Sequence, residues 1–387
     1  MPNKPRVVLL STVAAPFQCE VADAMREAGK WDYHLVFAHG PAVNRGPHWA
    51  VDRVADQVHL GTGEAQAYEW SRSKLEGLRP DLLLCSTYRG PLAQAAFAYA
   101  DRHSTPVGLW AEQPDPVSAL KEPIKRVMVR RLVSRFSFVI AIGDRAWRLY
   151  KASVGVQRAH LVPYGQDLSR HFAVQRELTG RPLRFLFSGQ LVSRHNIGML
   201  FDALASVAEQ EEKPFSVTVA AAGPEQRRVD AALQRSPRLL ANLRYDRSYK
   251  TWEDRVRPFV SSDVLLYPSS YSGWGLVVPE AMAAGLLVVT TSGVEAARYF
   301  ITPGVDGLLV DRTATSVREA IKWCLNNPLT VRRMGLAARS GAERGASKRT
   351  ASVLGDVLGR YLQPDGEGDR IRRQLRAAPT VEARPEL

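Results

Sequence analysis

The stretch DVLLYPSSYSGWGLVVPEAMAAGLLVVTT, residues 263–291, decides the fold. Residues 263–267 and 286–290 are short, mostly apolar runs, which is typical of strands buried on both faces of a parallel sheet. The Pro- and Gly-containing segment between them predicts a loop. Pro279 predicts the start of a short helix, and Gly285 predicts its end. The stretch therefore predicts one strand–loop–helix–strand unit.

The same alternation of short apolar runs and helical spacing continues over most of the 387 residues. The predicted strands are 6–10, 33–38, 81–85, 106–110, 138–142, 184–188, 216–221, 263–267, 286–290 and 307–310. This alternation indicates an α/β protein with parallel sheets. A chain of this length suggests roughly two or three domains, and two is the simpler interpretation.

A polar run over 168–182 separates the two predicted domains, 1–172 and 183–345. Apolar residues at four-residue steps then predict an amphipathic helix over 346–363, for which a return to the first domain is one alternative. The tail 364–387 has few large apolar residues and is predicted to be disordered.

The composition indicates a folded globular chain with a basic surface. It has 45% hydrophobic residues, a mean hydropathy of -0.20, and 52 Lys and Arg against 39 Asp and Glu, a formal charge of +13. Cys19, Cys85 and Cys324 are widely spaced and odd in number, which argues against a disulfide framework and for a reducing compartment.

No apolar run reaches the ~20 residues that a membrane-spanning helix needs. The segment 7–17 resembles a signal peptide, but Ser11 and Thr12 interrupt it, so a buried first strand explains it better. We therefore expect a cytoplasmic protein, with peripheral attachment to the inner face of the membrane as an alternative.

The loop of the opening stretch suits an anion. Gly273 and Gly275 have no side chains, so their N–H groups can approach a diphosphate closely, and the helix that follows adds partial positive charge. Glu280 could accept hydrogen bonds from the two vicinal hydroxyls of a ribose, or it could simply stabilise the helix dipole. The third glycine of a dinucleotide-binding fingerprint is absent, because Val278 occupies its position.

This stretch resembles the donor-site signature of retaining GT-B glycosyltransferases of family 4, the group 1 transferases. Segments 183–204, 216–225, 293–311 and 160–172 also resemble family segments in the same order. The likeness extends over roughly residues 6–362 and is specific in the second half. It implies two Rossmann-like domains facing across a cleft. It also implies that the second domain holds a nucleotide-diphosphate sugar, that the first holds a saccharide or lipid-linked acceptor, and that the sugar is transferred with retention of configuration.

The resemblance also implies which residues contact the donor. In the family, two basic residues grip the diphosphate; here Gln190 and His195 occupy those positions, with Arg194 beside them. His195 has a second interpretation, as a polar residue at a helix start. The remaining donor contacts implied in the second domain are Gly273, Trp274, Gly275, Leu276 and Glu280.

Three residues are expected to act at the reacting centre: Arg194, Glu112 and Ser272. Ser272 stands where the family has the first of two glutamates. Glu112 is a candidate for a sugar or acceptor contact, with an exposed surface carboxylate as the alternative. Ala15 and Pro16 are expected to face the donor phosphates. The implied chemistry is front-face attack, in which the leaving phosphate oxygen takes the proton of the acceptor.

The sequence predicts no cofactor and no metal, because it has no Asp-x-Asp triplet and its histidines show no ligand spacing. Ser272, Gln190 and His195 keep a non-catalytic nucleotide-sugar-binding module open, and a GT-B sugar-nucleotide epimerase is a further alternative. Nucleic-acid binding is not expected, because no recognised motif is present.

Residues 121–136, KEPIKRVMVRRLVSRF, predict a basic amphipathic helix. Ile124, Val127, Met128, Leu132 and Phe136 recur at helical spacing. Such a helix can lie on an anionic membrane surface. The alternative, which we favour from the sequence, is an ordinary surface helix whose apolar residues pack on the sheet.

Overall fold

A computed structural model describes residues 4–39, 49, 58–61, 66–118, 120–176, 181–247 and 250–362. They form two units, each built on one parallel sheet. The first unit holds the described residues up to 39, those between 58 and 163, and those from 351 onward. The second holds Trp49 and the described residues between 164 and 350.

The sheet of the first unit has seven strands in the order β3-β2-β1-β4-β5-β6-β7, and all its strand pairs are parallel. The strands are β1 (Arg6–Val13), β2 (Asp32–His39), β3 (Val58–Leu60), β4 (Leu82–Cys85), β5 (Val107–Glu112), β6 (Phe138–Ile142) and β7 (Ala159–Leu161). The helices between them are α1 (Pro16–Glu27), α2 (Ala67–Leu78), α3 (Pro91–His103), α4 (Glu122–Val133) and α5 (Asp144–Val154).

The sheet of the second unit has six strands in the order β10-β9-β8-β11-β12-β13, again all parallel. The strands are β8 (Leu183–Gln190), β9 (Phe215–Ala222), β10 (Leu243–Tyr245), β11 (Val264–Tyr267), β12 (Leu287–Thr290) and β13 (Gly307–Leu309). The helices are α6 (Ser169–Phe172), α7 (Ile197–Gln210), α8 (Gln226–Arg235), α9 (Pro237–Asn242), α10 (Arg257–Val260), α11 (Val277–Ala283), α12 (Glu295–Phe300), α13 (Ala314–Asn326), α14 (Pro328–Ala342) and α15 (Ser347–Leu362), which continues into the first unit.

All ten strands predicted from the sequence are present. Every residue of β4, β6, β11 and β12 is buried, as expected for strands covered on both faces. Three further strands, β3, β7 and β10, have only three residues each and lie at sheet edges. They were missed because each has a His or Arg as the middle of its three residues, whereas the equally short β13 is wholly apolar and was predicted.

Helix α11 begins two residues before the predicted position. It starts at Val277, so Pro279 lies inside its first turn rather than at its start. No helical hydrogen bond is lost at Pro279, because the first four N–H groups of a helix have no partner within the helix. Gly285 has φ +75, the left-handed conformation that follows many helices, and this agrees with the predicted end.

The two units change over at residues 163 and 164, earlier than the domain end at 172 expected from the sequence. Gln166 explains why this segment associates with the second unit, since its N–H donates to the carbonyl of Gly345 and its side chain donates to that of Leu276. The end of α15 packs in the first unit, where Tyr361 stacks on Phe138 at 4.0 Å and bonds to His160. The predicted tail 364–387 lies outside the described residues.

Helix α4 is oriented differently from the expectation we favoured. Val129 and Val133 are fully buried, whereas Ile124, Val127 and Met128, which were expected to pack on the sheet, are exposed. Two apolar stripes run along this helix, and periodicity alone does not say which of them faces inward.

Candidate functional site

The predicted donor residues of the second unit gather where the strand order reverses. Strands β8 and β11 are neighbours in the sheet, but their connections lead to opposite sides. In open parallel sheets, ligands bind at the carboxyl ends of strands at such a switch point. Gln190 ends β8, Arg194 and His195 follow it in a short 3-10 turn, and the segment 272–276 follows β11.

Asn196 joins the loops after β8 and β11. It has φ +54, a conformation that Asn tolerates better than most residues. Its side-chain amide donates to the carbonyl of Pro268 at 2.7 Å and its oxygen accepts from the Ser270 hydroxyl at 2.9 Å. The N–H of Ser270 also bonds to the carbonyl of Arg194 at 2.7 Å. These contacts fix the backbone at Arg194, and the sequence analysis did not identify Asn196.

His195 is buried and its ring holds this loop together. Its Nδ1 lies 2.7 Å from the carbonyl oxygen of Gln190, which can only accept, so Nδ1 carries a proton. Its Nε2 faces the Tyr267 hydroxyl at 3.0 Å and Nε of Arg194 at 3.4 Å. An arginine nitrogen only donates, so the contact with Arg194 favours a tautomer in which Nε2 accepts. These contacts give His195 a part in holding the loop after β8.

Arg194 supplies the cation at this end of the sheet. Its side chain is exposed, while its carbonyl accepts from Ser270 and from the Ser269 hydroxyl at 3.1 Å. A fixed backbone with an exposed guanidinium suits phosphate, because the guanidinium offers a planar set of donors. Gln190 is partly exposed beside it and adds a neutral amide.

The glycine segment, residues 272–276 after β11, packs against the loop that follows β12. Ser272 forms an isolated parallel bridge with Val294. Gly275 has φ +103, and a Cβ there would lie only 2.8 Å from Cγ1 of Val294. A side chain is therefore excluded at Gly275 on two grounds, conformation and space. This backbone is packed in place, with Ser272 itself largely buried.

Trp274 does not offer its ring to a ligand. The indole is buried against Tyr299 at 5.7 Å and Phe300 at 5.5 Å between ring centroids. Its carbonyl accepts from the N–H of Ala296 at 2.9 Å. The substrate contact implied for Trp274 is therefore limited to its backbone N–H. The carbonyl of Leu276 is likewise occupied, because it accepts from the side chain of Gln166 at 2.9 Å.

Glu280 is held by an arginine that the sequence analysis missed. Nε of Arg255 lies 3.0 Å from Oε1 of Glu280, and both side chains are about one-tenth exposed. The guanidinium also donates to the carbonyls of Trp252 and Asp167, each at 2.9 Å, and lies 4.0 Å over the Trp252 ring. The ion pair with Arg255 thus fixes the orientation of the Glu280 carboxylate in the first turn of α11.

Two titratable groups beside Arg255 are tuned by burial and by that charge. Burial lowers the pKa of His171 to about 3, and Arg255 adds to the effect, so the ring is neutral. Burial alone would raise the pKa of Asp167, but hydrogen bonds from Ser169 and the charge of Arg255 outweigh it and hold that pKa below its ordinary value. The surroundings of Arg255 therefore contain one neutral ring and two carboxylates.

The predicted residues of the first unit also lie at a carboxyl sheet edge. Ala15 and Pro16 form the junction between β1 and α1, and both are buried. Pro16 has no N–H and so cannot donate to a phosphate there. Glu112 ends β5 with a partly buried side chain, and its carbonyl accepts from the Tyr150 hydroxyl at 2.5 Å.

Within the described ranges, no three His, Cys, Asp or Glu side chains cluster in a way that could hold a metal ion. Nor does any described helix combine the length and apolarity needed to cross a membrane.

Comparisons with known proteins give one family match and several structures of similar fold. Residues 171–341 match the family model of glycosyl transferases group 1. No curated protein matches the chain.

Several solved structures share the fold. HepE from Anabaena, in complex with UDP and glucose, has a TM-score of 0.66 at 16% identity, covering 91% of this chain and 99% of its own. Sucrose-phosphate synthase from Thermosynechococcus elongatus has a TM-score of 0.70 at 16% identity, covering 92% and 98%. The pneumococcal O-GlcNAc transferase GtfA, in complex with UDP and GlcNAc, has a TM-score of 0.72 at 10% identity, covering 94% and 100%. This chain therefore has the GT-B fold, and its match to the glycosyl transferases group 1 model is limited to residues 171–341.

Proposed function

We propose that this chain is a metal-independent retaining glycosyltransferase. It moves a sugar from a nucleoside-diphosphate donor to a hydroxyl acceptor, for which a saccharide or lipid-linked alcohol is the fitting class. The observation that carries the proposal is the oriented carboxylate of Glu280, fixed by Arg255 at the same sheet edge as the exposed guanidinium of Arg194. A carboxylate for a ribose diol and a cation for a diphosphate are what a nucleoside diphosphate requires.

The donor is bound by groups of different chemistry. The oxygens of Glu280 accept from the ribose hydroxyls, and the ion pair with Arg255 fixes the orientation of the carboxylate for that contact. Arg194 and the backbone N–H groups of the glycine segment bind the diphosphate. Gln190 adds a neutral donor, and His195 acts indirectly by holding the loop. Solved relatives that contain UDP with glucose or GlcNAc support a nucleotide-sugar donor.

The transfer then needs no protein nucleophile. The acceptor oxygen attacks the anomeric carbon on the face from which the diphosphate departs. The bond from that carbon to the phosphate oxygen breaks as the new glycosidic bond forms, and the acceptor proton passes to the departing oxygen. Arg194 stabilises the negative charge that develops on the leaving group, which is the largest contribution asked of the protein here. Glu112 positions the sugar or the acceptor.

A panel of nucleoside diphosphates and their sugars tests the proposal. A ligand that binds only the folded state at about 100 times its Kd adds about 2.7 kcal/mol of stability. We expect one base to raise the Tm by several degrees, and the matching sugar nucleotide to release nucleoside diphosphate when an acceptor is supplied. EDTA should leave that rate unchanged. A chain that no nucleotide stabilises would contradict the proposal.

The variant Ser272→Glu distinguishes an active transferase from a non-catalytic binding module. The absence of a carboxylate at Ser272 is the feature that favours the binding module. Ser272 is largely buried, so a glutamate there must be desolvated. We therefore expect the wild-type chain to turn over its donor faster than Ser272→Glu, as measured by nucleotide release. A wild-type chain that binds donor without turnover, beside a Ser272→Glu variant that hydrolyses it, would instead favour the binding module.

A further inference from the structure

Helix α4 and the loop before it expose an unusual amount of apolar surface. Leu120 is 90% exposed, Ile124 71% and Val127 70%, and Val117 and Met128 are exposed as well. These five account for half of the exposed large apolar residues in the described part of the chain. Scattered single exposures need no explanation, but five exposed large apolar residues between 117 and 128 indicate an interaction surface.

The exposure is a consequence of how α4 packs. Val129, Val133 and the following Phe136 are fully buried and attach the helix to the first unit. Ile124, Val127 and Met128 have the spacing i, i+3, i+4 and therefore share the outward stripe. The helix buries one apolar stripe and presents a second one to solvent.

The exposed stripe is accompanied by positive charge. Arg131 continues the stripe one turn further, and Lys121, Arg126 and Arg130 are exposed on the same helix or at its start. The acid of the helix, Glu122, is already engaged by Lys125 at 2.7 Å and by Arg126 at 3.2 Å. We call the set Val117, Leu120, Lys121, Ile124, Val127, Met128, Arg130 and Arg131 the α4 face.

We propose that the α4 face docks on the surface of an anionic lipid bilayer. The chemistry selects this partner, because aliphatic side chains insert at the boundary between headgroups and acyl chains while basic side chains remain at the level of the phosphates. A nucleic acid would engage the arginines but would leave the aliphatic residues without a contact. An apolar protein groove would cover the aliphatic residues but would not call for the flanking cations.

The place of the face in the fold fits this docking. Glu112 ends β5, and the chain from there leads through Val117 and Leu120 into the start of α4. A crossover helix runs back along its sheet, so the start of α4 lies at the carboxyl edge of the first sheet, where Glu112, Ala15 and Pro16 also lie. The docked surface therefore begins at the same edge of the first sheet as the residues that we propose to face acceptor and donor.

Vesicle co-sedimentation of the full chain tests the proposal. The probes are vesicles of phosphatidylcholine alone and vesicles that also contain phosphatidylglycerol. We expect binding to the anionic vesicles and at least about tenfold weaker binding to the neutral ones. Ile124→Ser/Val127→Ser and Arg130→Ser/Arg131→Ser should each weaken anionic binding at least about tenfold, the first through lost insertion and the second through lost attraction.

Matched controls separate the face from general effects of polarity and charge. Leu240→Ser/Val305→Ser removes two other exposed apolar residues, and Arg238→Ser/Arg333→Ser removes two other exposed arginines. Both should bind anionic vesicles like the wild type. Equal or absent binding to the two vesicle types would overturn the proposal, as would unchanged binding of both α4 variants. If the wild type instead forms a dimer, does not bind vesicles, and becomes a monomer in Ile124→Ser/Val127→Ser, the α4 face binds a second copy of the chain.

Discussion

Glu280→Gln should weaken the binding of a nucleoside diphosphate by about 1.5–3 kcal/mol, the range for hydrogen bonds to a charged group. The interaction that is lost should be the hydrogen bonding between Glu280 and the ribose hydroxyls. We therefore expect wild-type protein to bind the ribonucleotide more tightly than its 2′-deoxy analogue, and we expect Glu280→Gln to lose most of that preference. Isothermal calorimetry with the two nucleotides measures both quantities.

The preference between the two nucleotides matters because Glu280 also has a structural partner. Removing its charge takes the carboxylate away from the buried guanidinium of Arg255, which keeps its hydrogen bonds to the backbone carbonyls of Trp252 and Asp167. Breaking a buried ion pair costs about 3–5 kcal/mol in unfavourable cases. Gln should cost less than Ala, because its amide oxygen still accepts a hydrogen bond. A fall in stability is thus expected whether or not Glu280 contacts ribose.

Asp263→Asn is the matched control for that structural effect. Asp263 is buried and pairs with Arg181 at 2.8 Å, but it precedes β11 and so lies at the amino edge of the same sheet. We expect this variant to lose stability and to keep the preference for the ribonucleotide. If Glu280→Gln behaves in the same way, with the preference intact, Glu280 is a structural residue and the assigned role is wrong.

Most strands could be predicted because a strand that is buried on both faces is a continuous apolar run in the sequence. Continuous apolar runs such as Phe138–Ile142 are readable without knowledge of their neighbours. Strand β10, Leu243–Tyr245, cannot be recognised in this way, because the charged Arg244 interrupts its short apolar run. Similarly, α4 carries two apolar stripes, and only the tertiary packing of Val129 and Val133 reveals which one is inside.

The sequence predicted the residues proposed to contact the ligand, but it did not predict the residues that hold them in place. Gly275 and Glu280 lie in one contiguous motif, whereas Arg255 reaches Glu280 from another loop and Gln166 reaches Leu276 from more distant sequence. The two residues of such a pair have no fixed separation in the sequence, so no sequence pattern predicts the contact. One signal was available for Asn196, because Asn is among the few residues other than Gly that readily adopt positive φ.

Gly335→Ala and Gly359→Ala should change stability in opposite directions. Both glycines lie inside helices, α14 and α15, where replacement of Gly by Ala ordinarily adds about 0.5–1 kcal/mol of stability. At Gly359 a Cβ would meet nothing within 4 Å, so we expect that gain and a higher Tm.

At Gly335 the same methyl group has no room. It would overlap the carbonyl oxygen of Gly285 and would lie 2.9 Å from the backbone nitrogen of Leu287. These are backbone atoms at the start of β12, so relief requires α14 to move away from the sheet, since no side chain can rotate out of the way. Overpacking of this kind costs about 1–3 kcal/mol and occasionally more, which exceeds the gain in helix propensity. Calorimetric melting should therefore show a lower Tm for Gly335→Ala and a higher one for Gly359→Ala. Equal shifts of the same sign would mean that helix α14 does not pack as closely on β12 as the structure has it.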